Sequence, residues 1–457
     1  MAKRLLSRGF FTVITLLAGI AFSVSGAFAT GGKEAPIVRD RIMVVFHAQK
    51  LPANAAQLIL RAGGRVVNSL PEVGILVAAP ATVDATTLIE HLRGSSAIQA
   101  ADFDRVMTLI NPGAMRAVLG SGLVPETHYP HPTPDFSPTL PADFLYTNTP
   151  FEWAVKRIGA EGGGIPGGTS GAWDVGEGAG AMIAILDSGV NPIHPDIAPN
   201  LAGMMSETSF GTPCDDGSPY DQVGHGTFTA SLVAGAAGPG SGLMIGVAPQ
   251  AQILSIKVLE RVPDGNPEED ITTQYLNGEA SGDFAWAIYG IIHAVQAGAD
   301  VISMSFGGLV PRHYPGGAGA ALWSAFNRVT NFATSHGVVL VASAGNDALN
   351  LDQSGPWVGL PAQAANVIGV VATTNPDLPP SRSEDEPPCL LGQDCLAFYS
   401  EYGNSLHGIA APGGDFPAGG CDYFGENCQP TGFILGACSA GIPGTDYGLP
   451  ADGKSMG

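Results

Sequence analysis

From residue 151 onward, short runs of apolar, mostly β-branched residues alternate with helix-patterned segments. That alternation narrows the fold more than any other feature of the chain. The runs are Met182–Leu186, Ile253–Val258, Val301–Met304, Val338–Ala342 and Val367–Val371, and the helical stretches are Thr227–Ala237, Asp283–Ala297 and Ala320–Ser335. Strands that are apolar on both faces need cover on both faces, which a parallel sheet wound with helices on each side provides. The expected architecture is therefore α/β with a parallel, doubly wound sheet. Ligands bind such sheets beyond the carboxyl ends of the strands. Asp187, Ser305 and Asn346 each stand at or just after such an end, so residues distant in sequence are placed to meet in one cleft.

The preceding part of the chain has a different pattern. Ile42–Phe46 reads as a strand, Ala53–Ala62 as a helix closed by Gly63-Gly64, and Arg65–Leu70 and Gly74–Ala78 as strands joined by a Pro-Glu turn. Ala85–Arg93 reads as a second helix and Ala101–Thr108 as a last strand. The order βαββαβ is that of a small ferredoxin-like α+β unit, assigned to residues 30–110. Residues 111–150 are rich in proline without a sustained period and read as a linker, in which His128 and His131 read as exposed histidines, with metal binding by the pair as the alternative.

At the start, Lys3, Arg4 and Arg8 precede the apolar stretch Phe10–Val24, and Ala27-Phe28-Ala29 supplies a small-x-small cleavage pattern. This is a secretory signal over residues 1–29, and the apolar run is short for a bilayer span of about 20 residues. The expected location is extracellular or periplasmic, with no membrane association after signal removal. A net charge of −21 argues against a nucleic-acid partner. Export makes disulfides plausible for the six cysteines at 214, 389, 395, 421, 428 and 438, and the local pairs 389–395 and 421–428 are preferred. A zinc site lacks both C-x-x-C spacing and nearby histidines.

Three short segments carry chemistry: Asp187-Ser188-Gly189, Gly224-His225-Gly226-Thr227 and Ala344-Gly345-Asn346. Each alone is an ordinary turn or helix entry. Together, each at the edge of a βαβ pattern, they supply an acid, a base and an amide donor. A serine hydroxyl needs a base within hydrogen-bond reach, and histidine is such a base near its usual pKa of about 6.5. A carboxylate on the far ring nitrogen fixes the tautomer and stabilises the imidazolium, and an amide side chain can donate to a developing oxyanion.

In this order and context the segments resemble those of the subtilases, the subtilisin-type serine proteases. Further matching stretches are Trp153–Ile158, Gly246-Val247-Ala248-Pro249, Val301–Gly308 and Ala410–Gly413. The resemblance covers residues from about 150 to the end, so 151–457 is read as a subtilisin-like peptidase domain. It implies that Asp187 and His225 are charge-relay members, that Asn346 is the oxyanion donor, and that Ser305-Phe306-Gly307 pairs with extended protein or peptide substrates. It also implies that the ferredoxin-like unit is an inhibitory propeptide, acting as an intramolecular partner. No cofactor is required for the chemistry, and His194-Pro195-Asp196 matches a segment whose aspartate often ligates a structural calcium.

The chain departs from the family pattern at the nucleophile. It closes Asp452-Gly453-Lys454-Ser455-Met456-Gly457, where the family has Gly-Thr-Ser-Met-Ala-x-Pro opening a buried helix. Two readings follow: Ser455 as a degenerate nucleophile, or Gly457 as the first residue of the true motif, with the second favoured. The expectation is a secreted serine endopeptidase precursor whose C-terminal part is missing and whose stability suffers for it. The alternative is a non-catalytic peptide-binding protein on the same scaffold. A metal-dependent hydrolase lacks H-E-x-x-H.

Overall fold

The computed structural model describes residues 35–109, 143–147, 152–161, 170–208, 215, 217–242, 244–262, 280–312, 320–377, 389–414, 434 and 436–437. Its strands are β1 (Ile37–Phe46), β2 (Gly64–Leu70), β3 (Ile75–Pro80), β4 (Ile98–Thr108), β5 (Met182–Asp187), β6 (Leu201–Ser206), β7 (Gln252–Lys257), β8 (Glu260–Arg261), β9 (Ala280–Asp283), β10 (Val301–Met304), β11 (Gly308–Pro311), β12 (Val339–Ser343), β13 (Trp357–Leu360), β14 (Val367–Thr373) and β15 (Gly408–Pro412). Its main helices are α1 (Ala55–Ala62), α2 (Ala85–Arg93), α3 (Trp153–Arg157), α4 (His225–Ala234), α5 (Phe284–Ala297) and α6 (Ala320–Ser335).

Seven strands form the central sheet in the order β15-β14-β12-β10-β5-β7-β6, and every pairing in it is parallel. Successive side chains of a strand point to opposite faces, and β5 shows what this does here. Ala184 and Leu186 join the core with α5 and α6, while Ile183 and Ile185 join the one with Ala230 and Ala234 of α4. Cover on both sides explains why β5 is apolar along its length.

The N-terminal unit has the expected βαββαβ order, with an antiparallel sheet β2-β3-β1-β4. Gly63 closes α1 in the left-handed conformation at φ 97°, where a Cβ would be strained. One sheet face, with Ile42, Val44, Phe46, Leu76 and Ala78, packs on this unit's own helices. The opposite face, with Met43, Val45, Ile75 and Val77, joins the core that contains α5 and α6. Those helices are thus sandwiched between two sheets. This is why α5 has ten buried residues around its circumference rather than a single apolar stripe. At roughly 1.5–3 kcal/mol for each fully buried aliphatic side chain, this contact contributes on the order of 10 kcal/mol gross.

The N-terminal sheet does not stop at β4. Strand β9 pairs with it antiparallel, with Val106 opposite Asp283 and Thr108 opposite Ser281, and β8 follows. The sequence did not reveal this junction, nor the two-stranded β11–β13 ribbon. The helix expected over Thr227–Ala237 runs from His225 to Ala234, so His225 lies in its first turn. Within the segment read as a linker, Phe144–Thr147 forms a helical turn. Asp143 just before it accepts from Gly238 N–H at 2.8 Å and Ser241 Oγ at 3.0 Å. The Cys389–Cys395 disulfide is present. The signal segment, Cys214, Cys421, Cys428, Cys438 and Ser455 lie outside the described residues.

Arg328 of α6 bolts the two units together. Its guanidinium donates to Ala48 O at 3.0 Å, to Val73 O at 3.1 Å, and to Phe46 O and the Gln99 side chain. Arg328→Ala leaves these acceptors without their charged donor and should cost about 2 kcal/mol. A lower urea midpoint for loss of the N-terminal unit in the full chain, with the central sheet intact, checks this.

Candidate active site

The site grows from the carboxyl end of β5. Asp187 is its last residue, and its carbonyl accepts from Val258 N–H at 2.8 Å just past the end of β7. The side chain is 1% exposed, and a buried carboxylate must find donors. Ser188 N–H reaches Oδ1 at 2.7 Å and Thr229 Oγ reaches Oδ2 at 3.0 Å. His225 Nδ1 lies 2.8 Å from Oδ1 and 2.9 Å from Oδ2. The imidazole itself is 28% exposed.

Two glycines make this approach possible. Gly224 caps α4 at φ 110°, a backbone conformation that few other residues adopt. A Cβ on Gly226 would stand 2.0 Å from Gly189 O, so only glycine lets the helix start sit on the turn after Asp187. The spacing Gly-His-Gly is therefore a packing requirement that delivers the ring to the carboxylate.

Asp221 holds the arrangement and was not singled out in the sequence. It is fully buried. Oδ1 accepts from Ser188 Oγ at 2.9 Å, Val223 N–H at 3.0 Å and Gly224 N–H at 2.8 Å. Oδ2 accepts from Thr227 N–H at 2.9 Å and Thr227 Oγ at 2.6 Å. One carboxylate thus ties the turn after β5 to the first turn of α4, where a negative charge also suits the helix dipole. An aspartate four residues before a Gly-flanked histidine was the available signal.

Burial pulls the His225 pKa down, but the Asp187 charge and hydrogen bond, with a further contribution from Asp221, lift it above the usual 6.5. Nearby, Lys257 is fully buried and compensated, with Nζ 2.8 Å from Asp215 and donating to Tyr220 O at 2.9 Å. Burial first, then the Asp215 charge, push Glu260 up to about 8.

Ser305-Phe306-Gly307 follows β10. Thr108 of the N-terminal unit and Gly307 exchange both backbone hydrogen bonds at 3.1 Å, so Gly307 pairs with the end of β4. The Phe306 side chain is buried in the core. Asn346 follows β12, two strands from β5 at the same sheet end, after Gly345 at φ 124°. Asp196 is elsewhere, buried, with Oδ2 accepting from Met244 N–H at 3.4 Å and 3.8 Å from His194 Nδ1. Glu152 shares its surroundings. Burial first, then the Asp196 and Asp143 charges, raise Glu152 to about 8. Two buried carboxylates are the oxygen chemistry a hard cation takes, although no group of three His, Cys, Asp or Glu side chains suited to a metal occurs among the described residues.

A buried acid on the Nδ1 side of a partly exposed imidazole is the acid–base geometry that a serine hydrolase's charge relay requires. Residues 178–445 match the subtilase family, and the chain belongs to that family. It is 32% identical over 242 residues to thermitase from Thermoactinomyces vulgaris, covering 53% of this chain and 66% of the relative. Identity is also 32% over 199 residues with the major intracellular serine protease of Bacillus subtilis (strain 168), covering 42% of this chain and 51% of that protein. The matches thus span about half to two-thirds of these relatives' lengths.

Among solved structures, the fold is similar to the epidermin leader peptide processing serine protease from Staphylococcus aureus. The TM-score is 0.58 at 18% identity, covering 87% of this chain and 81% of that one. It is also similar to fervidolysin from Fervidobacterium pennivorans, a keratinolytic enzyme related to subtilisin, with a TM-score of 0.51 at 20% identity, covering 84% of this chain and 49% of that one.

The balance of burial and charge at His225 can be measured. Its ring should titrate above 6.5 by NMR. Asp187→Asn removes the largest raising influence, so the titration should move down as burial takes over.

Proposed function

We propose that this chain is a secreted serine endopeptidase precursor that hydrolyses peptide bonds by acyl transfer. The observation that carries the reading is the doubly matched contact of His225 Nδ1 with the buried Asp187 carboxylate. In the acylation step a serine Oγ attacks the scissile carbonyl, and His225 Nε2 takes the Oγ proton. The C–N bond then breaks as His225 returns that proton to the leaving amine. Water next attacks the acyl-enzyme, with His225 again acting as base and then acid. Asp187 holds the ring and stabilises the imidazolium, and Asn346 donates to the oxyanion. No serine among the described residues is assigned the attacking role; Ser455, outside them, is the candidate within the sequence.

The N-terminal unit acts as an intramolecular inhibitor. Support comes from its last strand, which occupies the place of an extended substrate between β9 and Gly307. Cleavage within 111–150 would free the cleft, and the segment 1–29 would direct export beforehand. Asp196, with Glu152 beside it, would hold a structural calcium whose charge offsets their repulsion. No catalytic step involves it.

Measured as kcat/KM on a casein-derived peptide with the complete gene product, His225→Ala should lower activity by about 10^4-fold or more. Asn346→Leu should lower it by about 10^2–10^3-fold. Because the base must be neutral and its pKa is raised, the acidic limb of the wild-type profile should fall above pH 6.5. Wild-type activity that survives His225→Ala defeats the reading. Chelation with EDTA should lower Tm by about 5 °C, and an unchanged Tm removes calcium from the account.

A further inference from the structure

Between the Ser305–Gly307 and Ser343–Asn346 loops sits a buried carboxyl group that acyl transfer does not use. Strands β10 and β12 run side by side, with Met304 opposite Ala342, so the two loops leave the sheet as neighbours. A peptide paired with Gly307 and with its reacting carbonyl at Asn346 would carry that residue's side chain into the slot between the two loops.

Strand β13 forms one wall of this slot. Gly308 pairs with Leu360, and a Cβ on Gly307 would come 2.8 Å from Leu360 O, which brings Gly359 next to Gly307. Glu401 closes the slot. Its N–H donates to Gly345 O at 2.9 Å. Its carboxyl group fills the space a side chain at Gly345 would need, 2.6–2.9 Å from the ideal Cβ position, and Oε2 lies 3.7 Å from the equivalent point on Gly359. The three glycines add no side chains of their own, and Glu401 is the ionisable group among them.

Glu401 is 3% exposed, and among the described residues no hydrogen bond or ion pair engages its carboxyl group. Burial first, then the Asp347 charge, push its pKa up to about 8. A carboxyl group placed without a donor is costly. It is explained if the missing partner arrives with the substrate.

We propose that this slot takes the side chain on the acyl side of the cleaved bond, and that Glu401 selects lysine or arginine there. The inference rests on the endopeptidase reading and adds the substrate class. A basic side chain brings the charge-assisted hydrogen bonds that Glu401 lacks, and Asp347 adds to the attraction. An apolar side chain leaves the carboxyl group buried and unmatched. The residues following Thr108 in the sequence are Leu109 and Ile110, neither of them basic.

The test uses the complete gene product and two peptide sets. Substrates differ only at the acyl-side residue, as Arg, Lys, Met or Leu, and product-type peptides end in Arg or Leu. Arg and Lys substrates should exceed Met and Leu in kcat/KM by about 100-fold, and the Arg-ended peptide should bind tighter. Glu401→Gln should shrink the ratio to within a few fold, chiefly by lowering the Arg and Lys values. The ratio is taken within one preparation, so partial misfolding cancels, and the wild-type panel decides the matter if the variant does not fold. Equal or better cleavage of Met and Leu by the wild type, or an unchanged ratio in Glu401→Gln, overturns the proposal while leaving the endopeptidase reading intact. A protein that cleaves nothing yet binds the Arg-ended peptide more tightly supports the slot and sinks the endopeptidase reading.

Discussion

A buried carboxylate without enough donors is unstable, and the geometry around Asp187 follows from meeting that demand. The central sheet brings the residue to the carboxyl end of β5 and excludes water from it. Ser188, Thr229 and His225 then supply the hydrogen bonds. Each of these donors belongs to the turn after β5 or to α4. The helix can come so close because Gly226 lacks a side chain where it meets Gly189. Asp221 repeats the logic one layer out, trading its own burial for five hydrogen bonds that fasten the same two segments. Chemistry and packing are therefore coupled: the bond that orients His225 also anchors α4.

A second constraint comes from unpaired backbone. Strand β9 and the Ser305–Gly307 segment expose backbone donors and acceptors on either side of a cleft, and such edges invite a strand. In this structure β4 meets both, pairing with β9 and bonding to Gly307 through Thr108. The same strand belongs to a sheet whose rear face is packed on α5 and α6, with Arg328 as a bolt. The unit is thus held by backbone pairing at its last strand and by apolar burial on its rear face.

Much of this was legible in the sequence because it rests on short-range pattern. The limits Ala85–Arg93, Val301–Met304 and Ala320–Ser335 agree with the structure. So does the pairing of Cys389 with Cys395, whose separation is only 6. What escaped was non-local. The junction of β4 with β9 joins residues about 175 positions apart and has no periodic signature. Asp221 and Glu401 were not singled out, because a carboxylate's burial is set by tertiary packing rather than by its neighbours in the chain. The start of α4 was placed late, since Gly224-His225-Gly226 is a poor helix opening by propensity and is imposed by contact with Gly189.

The most direct test of the central claim is covalent labelling of the complete gene product with a fluorophosphonate, which reacts only with a serine activated by a neighbouring base. The label site would be mapped by mass spectrometry and the rate compared with that of His225→Ala. If the Asp187–His225 pair activates a serine, one serine is labelled in the wild type and the reaction all but disappears in the variant. No labelling of the wild type, or equal labelling of the two proteins, would contradict the account.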